Sequence, residues 1–366
     1  MSPASYIAIV SPFPDKAIYM DGWMSRIKTI DLLFRGHRRI YVDFQLWYPV
    51  DADAELVEQN ALVTAWRLNP WSPKHRILAE RIFGDARFVY IHTLHQAEYM
   101  LQFFDPEKML IDVHGVVPEE EEMLGSQERS CYFGKIERES LARCKRLSVV
   151  TKAMKAHYKT KYGYINRKEV IHLPVFDYAS IGGALSRVDD TLDYRESMPK
   201  PISVYAGGSQ TWQCVDLMLD AIERTNVSID TEIYSHNVDD FLLLLRQRSL
   251  DPSMFGGNVS KTALKEIYRR ASFGFVIRED SVVNRVASPT KICDYCSHFV
   301  IPVVKFIEIG DFLSYDYAYL ELNEYLDGYV PDRQTREWMI VQNINCMEQM
   351  YQEFLVGAQR LLKLAS

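Results

Sequence analysis

Residues 271–305 constrain the fold more than any other stretch of the chain. Residues 273–277 form an apolar run that is long enough for a buried strand and too short for a helix. A charged loop follows over residues 278–287, and Ser288-Pro289 then opens a helix, because Ser caps helices well and Pro suits the first helical position. Residues 299–304 form the next buried strand. This order predicts a βαβ unit, which is the building block of parallel sheets.

The start of this predicted helix has the chemistry of an anion site. The first N–H groups of a helix lack intrahelical partners, and the helix dipole adds positive charge there. Lys291 would add a point charge, and Asp294, one turn further on, would accept hydrogen bonds from two ribose hydroxyls. The alternative is an ordinary crossover helix in which Ser288-Pro289 is only a cap.

The motifs of this region resemble a known family. Ala-Ser-Pro-Thr-Lys-Ile at 287–292, Asp294-Tyr295 and Ile-Pro-Val-Val at 301–304 are similar to the donor half of retaining, family-four glycosyltransferases of the GT-B fold. The resemblance implies that Ser288, Pro289, Thr290 and Asp294 bind the nucleotide-sugar donor.

The chain departs from the family at two positions. The family usually has Glu where this chain has Asp294, and its second carboxylate, eight positions earlier, falls on Val286. Glu279 or Asp280 from the preceding loop would then have to substitute.

The resemblance implies an α/β fold of two facing Rossmann-like domains with a cleft between them. The predicted domains are an acceptor-binding domain at 1–178, a linker at 179–200 and a donor domain at 201–340. A C-terminal helix at 341–366 is expected to cross back to the first domain. A length of 366 residues is comfortable for two domains.

Composition indicates a folded protein that does not bind nucleic acid. The chain is 48% hydrophobic and 25% charged, and its net charge is −7, whereas nucleic-acid binders are normally basic. Cys293 and Cys296 form a Cys-x-x-Cys inside a predicted helix without a second pair, which favours buried thiols over redox or zinc chemistry. The chain shows no secretory signal and no run of 18 apolar residues, so we expect it to be cytoplasmic.

A glycine and an arginine follow the first predicted strand, residues 6–10. Gly22 would allow close backbone approach to a ligand. The Asp-Gly…Arg-Ile stretch is similar to one that lines the cleft in polysaccharide glycosyltransferases, which implies that Arg26 meets a phosphate or the acceptor. The alternative is a solvated arginine in the first helical turn.

Two histidines end predicted strands in the first half, within residues 86–116. Ligands of open parallel sheets collect at the carboxyl ends of strands, which makes His92 and His114 candidates. The resemblance implies that His114 faces the donor sugar and that Glu119 belongs to the same cleft. Alternatives are a histidine that bonds a carbonyl, or a zinc site with His95, although no helical His-Glu-x-x-His pattern supports zinc.

The second half begins with a strand at 202–206 and a glycine loop that makes room for a phosphate. The resemblance places Gly207, Gly208 and Trp212 in the donor site. The Arg and Lys that usually grip the donor in this loop are absent, so Arg278 and Lys291 are the nearest candidates for the missing charge.

No metal ligand set and no cofactor is predicted. Asp51 and Asp53 form an Asp-x-Asp pair, which binds a metal–nucleotide complex in the other large glycosyltransferase fold. We interpret the pair instead as the acidic entry to a helix.

The predicted function is a retaining, metal-independent transfer of sugar from a nucleotide-sugar to a glycan or lipid-linked glycan, in bacterial surface polysaccharide synthesis. His114, Arg278 and Lys291 are the predicted catalytic residues. The basic clusters at 35–39 and 152–161 would give peripheral contact with anionic lipid. The alternative is a non-catalytic or epimerase-like protein of the same architecture.

Overall fold

Two mainly parallel sheets, built from short buried strands that alternate with helices, organise the chain. The computed structural model describes residues 6–14, 22–175 and 187–366. Contacts divide the chain into unit 1, Met1–Val175 with Glu353–Ser366, and unit 2, Phe176–Gln352. Each unit is described by itself.

Unit 1 contains eight strands and six α-helices among its described residues. The strands are β1 (Ile7–Val10), β2 (Arg39–Phe44), β3 (Glu55–Gln59), β4 (Val63–Leu68), β5 (Phe88–His92), β6 (Met109–Val113), β7 (Arg146–Val149) and β8 (Glu169–His172). The helices are α1 (Gly22–Leu33), α2 (Pro73–Asp85), α3 (Leu94–Met100), α4 (Val117–Met123), α5 (Gln127–Arg143) and α6 (Lys152–Lys161). Short 3-10 turns occupy Leu101–Phe103 and Gly163–Arg167.

The strand order in unit 1 is β3-β4-β2-β1-β5-β6-β7-β8. Among the strands that the structure describes in this unit, β3 alone is antiparallel, and it pairs with β4 at the edge of the sheet. β1, β5 and β6 are buried along their whole length, as parallel strands covered on both faces must be. The chain first builds outward from β1 through β2 and then continues on its other side with β5, so the topological switch point lies between β1 and β5.

In its described part, unit 2 contains six strands: β9 (Ile202–Ala206), β10 (Asp230–Tyr234), β11 (Phe255–Gly257), β12 (Phe273–Val276), β13 (Ile301–Val304) and β14 (Leu320–Glu321). Its helices are α7 (Val188–Glu196), α8 (Val215–Thr225), α9 (Val238–Gln247), α10 (Lys261–Arg270), α11 (Val282–Val286), α12 (Thr290–Ser297), α13 (Leu322–Leu326) and the first part of α14 (Arg333–Ala365). Short 3-10 turns lie at Thr211–Gln213, Pro252–Met254 and Phe312–Tyr315.

The sheet of unit 2 is parallel throughout, in the order β11-β10-β9-β12-β13-β14. Its switch point lies between β9 and β12. β12 pairs with β13 in register from Phe273↔Ile301 to Val276↔Val304, which confirms the predicted βαβ unit. The two α/β units and the long C-terminal helix α14 confirm the predicted fold class.

The structure differs from the sequence expectations at four places. Residues 51–53 lead into strand β3, so the expected helix entry is wrong. The segment predicted as linker includes α7, which buries Val188 and Leu192 in the core of unit 2. The first part of that segment, residues 179–186, lies outside the described residues.

The other two differences concern the loop and helix after β12. The loop holds a short helix, α11. Helix α12 has Pro289 as its N-cap and Thr290 as its first residue, so Ser288 is not the cap. The Ser288 hydroxyl oxygen is buried and has no hydrogen-bond partner among the described residues.

Candidate functional site

The carboxyl ends of β9 and β12 flank the switch point of unit 2, where ligands of open α/β sheets bind. Gly207 and Gly208 follow β9, and Arg278 lies two residues beyond the end of β12. A Cβ on Gly207 would come within 2.7 Å of the Lys291 ammonium. The fold therefore brings together the glycine loop and the two cations that the sequence analysis named separately.

Lys291 is buried at this point, with 8% of its surface exposed. Its Nζ donates to Gln213 Oε1 at 2.9 Å and lies 3.8 Å from the centroid of the Tyr205 ring. Burial, together with the nearby charge of Arg278, lowers the pKa of Lys291 well below 10.5. An anion bound here would raise this pKa again, because a nearby opposite charge favours the ammonium form.

Arg278 is the second buried cation, with 6% exposed. Its Nη1 donates to Asn284 Oδ1 at 2.6 Å, while its Nε has no hydrogen-bond partner among the described residues. Burial lowers its pKa to about 10. Within the described part of the chain no carboxylate pairs with Arg278 or Lys291, so both charges are available to an anionic ligand.

Helix α12 presents its first turn beside these cations. Pro289 lacks an N–H, and the side chain of Thr290 is half-buried at the first helical position. Asp294 is half-buried one turn further along the helix. The order of these groups along α12 is the one expected for binding a diphosphate and then a ribose.

The loop carboxylates that were expected to substitute for a missing glutamate pair with surface cations instead. Glu279 contacts Lys305, and Asp280 accepts two hydrogen bonds from Arg285, both at 2.6 Å. Val286 is buried with 4% exposed. Trp212 is half-buried in the 3-10 turn that also carries Gln213.

In unit 1, Arg26 lies inside the protein rather than at a surface. It is 1% exposed and makes a bidentate pair with Asp112, at 2.9 Å from Nε and 2.7 Å from Nη2. The same guanidinium donates to Ser148 Oγ at 3.0 Å and to the Leu173 carbonyl at 2.7 Å. The expectation of a solvated first-turn arginine is therefore wrong. These contacts also occupy the guanidinium that was considered for acceptor binding.

Burial alone would raise the pKa of Asp112, but the charge and hydrogen bonds of Arg26 hold that pKa well below 3.8. His92 Nδ1 lies 3.6 Å from Asp112 Oδ2, and His92 is 1% exposed. His92 therefore lies behind the surface and does not line it, in contrast to the expectation of a cleft residue.

His92 supports His114 by stacking. The centroids of the two imidazole rings are 4.4 Å apart, and the ring planes meet at an angle of 28°. The ring of Trp23, on α1, lies 5.4 Å from the His92 ring. Gly22, which precedes Trp23, is exposed at the start of α1. The position of the His114 ring, after β6, is therefore set by His92 at the end of β5 and, behind it, by Trp23 of α1.

His114 is half-buried at the carboxyl end of β6, and its Nε2 is buried without a hydrogen-bond partner among the described residues. Burial, then the neighbouring His92 and Arg26, lower its pKa well below 6.5. His114 is therefore neutral at pH 7. A neutral imidazole donates a hydrogen bond from one ring nitrogen and accepts one at the other.

The turn after His114 is held from two sides. The Tyr158 hydroxyl lies 3.3 Å from the Gly115 carbonyl and 3.0 Å from Glu137 Oε2. Glu120 accepts from the Val116 N–H at 3.0 Å, and its carboxylate fills the space that a Cβ on Gly115 would need. Burial raises the pKa of Glu120.

Glu119 points away from this turn. Its Oε1 lies 2.8 Å from Lys161 Nζ and 3.3 Å from His157 Nε2. Glu120 is the acidic residue of α4 that contacts the His114–Gly115 turn.

One group of side chains in the described residues has metal-ligand geometry. His92, Asp112 and His114 each offer a ligand atom, and these atoms lie within 4.8 Å of one another. However, both Asp112 oxygens accept from Arg26, whose positive charge opposes a cation at the same carboxylate. His95, considered for zinc, has an exposed side chain that packs on Phe133 instead.

Sequence reasoning missed Gln213, Tyr205, Asn284 and Asp112. Asp112 had a readable signal, because a carboxylate inside the apolar strand Met109–Val113 requires a cationic or hydrogen-bonding partner. Gln213 and Tyr205 contact Lys291, which is distant in sequence, and Asn284 lies in the short helix α11, where the sequence predicted a loop.

The basic clusters expected to contact lipid are engaged within the protein only in part, because Arg35, Arg38 and Lys159 are exposed. Arg39 is 5% exposed and lies 3.4 Å from Asp31, and Lys161 pairs with Glu119 and Glu137. Cys293 and Cys296 are buried, and neither forms a disulfide among the described residues. Within the described segments, every helix is too short or too polar to cross a lipid bilayer.

Comparison with known proteins finds relatives by structure only. No protein-family profile and no curated protein matches the chain. Solved structures match it over nearly its full length, and they have the GT-B glycosyltransferase fold. The chain therefore has the GT-B fold, which defines its structural class.

Three of these structures are informative. Sucrose-phosphate synthase from Thermosynechococcus elongatus is 13% identical, with a TM-score of 0.69 and 98% of each chain covered. Trehalose-6-phosphate synthase from E. coli, bound with UDP-2-fluoro glucose, is 9% identical, with a TM-score of 0.65 and 99% of each chain covered. HepE from Anabaena, in complex with UDP-glucose, is 11% identical, with a TM-score of 0.65 and 98% of each chain covered.

Proposed function

We propose that this protein is a glycosyltransferase that moves a sugar from a nucleotide-sugar to a glycan or lipid-linked glycan. The observation that carries the proposal is the pair of buried cations, Lys291 and Arg278, beside the glycine loop of unit 2. Burying a charge is costly unless an opposite charge compensates for it. A nucleotide diphosphate supplies that compensation.

Structural neighbours point to the same ligand class. The titles of two neighbours name UDP-glucose and UDP-2-fluoro glucose as bound molecules. We infer that α12 and the two cations bind the diphosphate, that Gly207 and Gly208 give it room, and that Asp294 binds the ribose.

The chemistry that we propose is retaining and independent of metal. The bond between the sugar C1 and the diphosphate oxygen breaks, and the acceptor oxygen bonds to C1 on the same face. The acceptor hydroxyl proton passes to an oxygen of the leaving phosphate. Lys291 and Arg278 would stabilise the charge that develops on that phosphate, as a metal ion does in other transferases. His114, being neutral, would bind a sugar hydroxyl.

The resemblance of the sequence motifs to bacterial polysaccharide enzymes supports surface polysaccharide synthesis as the process. Arg39 and Lys161 pair with carboxylates, so contact between the basic clusters at 35–39 and 152–161 and anionic lipid would depend on the exposed Arg35, Arg38 and Lys159.

Calorimetry with UDP-glucose and other nucleotide-sugars tests the donor site. Lys291→Gln and Asp294→Ala should each weaken binding about tenfold or more, because each removes a charge-assisted hydrogen bond worth roughly 1.5–3 kcal/mol. Lys305→Gln is the matched control, since Lys305 pairs with Glu279 on the surface. Unchanged affinity in folded Lys291→Gln protein would overturn the site.

A donor-hydrolysis and transfer screen separates an enzyme from the non-catalytic alternative. The proposal expects slow release of free sugar from one nucleotide-sugar, and faster release with acceptor. Tight nucleotide-sugar binding without hydrolysis, transfer or epimerisation would identify a regulatory binding protein instead.

A further inference from the structure

A group of exposed apolar side chains lies at one end of the sheet in unit 1. Leu46, Trp47, Val50 and Trp71 are exposed by 58%, 67%, 43% and 64%, and we name them the tryptophan surface. Exposed tryptophans are unusual, because removing the large apolar indole from water is strongly favourable.

The tryptophan surface is built on a fixed backbone. Asn69 is 2% exposed, and its amide nitrogen donates to the carbonyls of Leu46 at 3.3 Å and Tyr48 at 2.6 Å. Its amide oxygen accepts from the Trp71 N–H at 2.8 Å. The two tryptophan-bearing segments therefore hold the same buried side chain, so the surface is organised before any ligand arrives. Such preorganisation lowers the entropic cost of binding.

The surface occupies the same edge of the sheet as His114. Leu46 and Trp47 follow β2, and Trp71 follows β4, both parallel to β5 and β6. The Trp71 ring stands perpendicular to the Tyr99 ring of α3, with centroids 6.4 Å apart. Tyr99 lies near the end of α3, the helix that follows β5, and its ring also contacts the Phe44 ring, with centroids 5.7 Å apart.

The polar and charged groups around the two indole rings indicate which class of ligand this surface can bind. Trp47 Nε1 donates to Gln45 at 2.8 Å, and the Arg67 guanidinium lies 5.2 Å from the ring centroid. Arg67 is itself paired with Glu55 at 2.6 Å. Residues 43–74 hold five acidic residues against two basic ones, so this region repels anionic lipid and nucleic acid.

We propose that the tryptophan surface binds pyranose rings of a neutral glycan, and that this glycan is the acceptor chain. The apolar C–H face of a pyranose packs against an indole, and its hydroxyls bond to neighbouring carboxylates and amides. Two indoles suit an oligosaccharide better than a single sugar. This assignment of the acceptor rests on the proposed transferase function.

The test measures glycan binding by the full-length protein without nucleotide, on an array of neutral, amino and acidic oligosaccharides. The wild type should retain neutral oligosaccharides. Trp47→Ala and Trp71→Ala should each weaken retention about tenfold, as truncation of a central aromatic contact does. Trp338→Ala is the matched control, because Trp338 is 61% exposed on α14. Trp47→Phe and Trp71→Phe should keep most of the retention, since they keep an aromatic face.

The outcomes distinguish this proposal from the transferase proposal. Retention that is absent, or unchanged in the double alanine variant, overturns the glycan surface. Binding to vesicles of phosphatidylethanolamine and phosphatidylglycerol that the double variant loses overturns it in favour of lipid. Loss of UDP-glucose binding in Lys291→Gln is read separately by calorimetry and concerns the donor site alone.

Discussion

Among single side chains, Lys291 combines a buried ammonium with a cationic neighbour and no acid partner in the described chain. Burial and Arg278 lower its pKa well below 10.5 in the free protein. A bound diphosphate raises that pKa again, so binding requires the protonated lysine. Nucleotide affinity must therefore fall as pH rises through the lowered pKa of Lys291.

We predict that UDP affinity in the wild type decreases with pH earlier than an ordinary lysine would allow. In Lys291→Gln affinity should be weaker at neutral pH and should lose this component of the pH dependence. Lys291→Arg should keep affinity further into the alkaline range, because a guanidinium stays charged. Calorimetry across pH checks this. Parallel pH curves for wild type and Lys291→Gln would contradict it.

His114 should act on turnover rather than on nucleotide binding. Its ring is neutral, and its Nε2 has no hydrogen-bond partner in the described part of the chain, which suits a hydroxyl better than a phosphate. We predict that His114→Ala lowers the transfer rate about tenfold or more, the value of one lost hydrogen bond. UDP affinity should stay the same.

The control for His114→Ala is His95→Ala, because the His95 side chain is exposed on α3, the helix that follows β5. The wild-type rate should also show no titration near pH 6.5, because His114 is already neutral there. A wild-type rate in His114→Ala would remove the residue from the mechanism.

Among helices and strands, the Arg26–Asp112 pair joins four elements of unit 1. It links α1 to β6 directly, to β7 through Ser148 and to the end of β8 through the Leu173 carbonyl. Because Asp112 has a lowered pKa, its stabilisation is present above the ordinary Asp value and is lost as pH falls below it.

We predict that Arg26→Met destabilises the protein by about 3–5 kcal/mol, because it leaves a buried carboxylate without compensation. The double variant Arg26→Met, Asp112→Leu should recover much of this loss. Arg35→Met, exposed just after the same helix, is the control and should change stability little. Urea unfolding followed by circular dichroism measures all three. Equal stability of wild type and Arg26→Met would show that the pair carries no net free energy.

For the whole molecule, the question is whether side-chain cations or a metal ion stabilise the negative charge of the leaving diphosphate. Lys291 and Arg278 supply it in unit 2, and Arg26 opposes a cation at Asp112 in unit 1. We predict that transfer persists in excess EDTA. A complete loss that manganese or magnesium restores would revive His92, Asp112 and His114, or Asp51 and Asp53, as ligands. Asp112→Asn and Asp53→Asn variants would tell these two sets apart.

Local patterns in the sequence determined the parallel architecture. Short apolar runs bounded by glycine, proline and charged residues predicted β9, β12 and β13 to within about two residues, because buried parallel strands need continuous apolar sequence. The spacing of the apolar residues Ile27, Ile30, Leu33 and Phe34 likewise indicated α1. The sequence analysis did not predict the edge hairpin β3–β4. Its strands are partly exposed, and buried and exposed residues alternate only weakly along them.

The same local reasoning named Lys291, Arg278 and His114, but their environments came only from the tertiary structure. Lys291 meets Gln213, 78 residues away, and Arg26 meets Asp112, 86 residues away. A side chain's burial and charge partners depend on which distant strands become neighbours in the sheet. A motif can therefore show that Arg26 follows the first strand, while only the folded chain shows that its guanidinium is buried against a carboxylate.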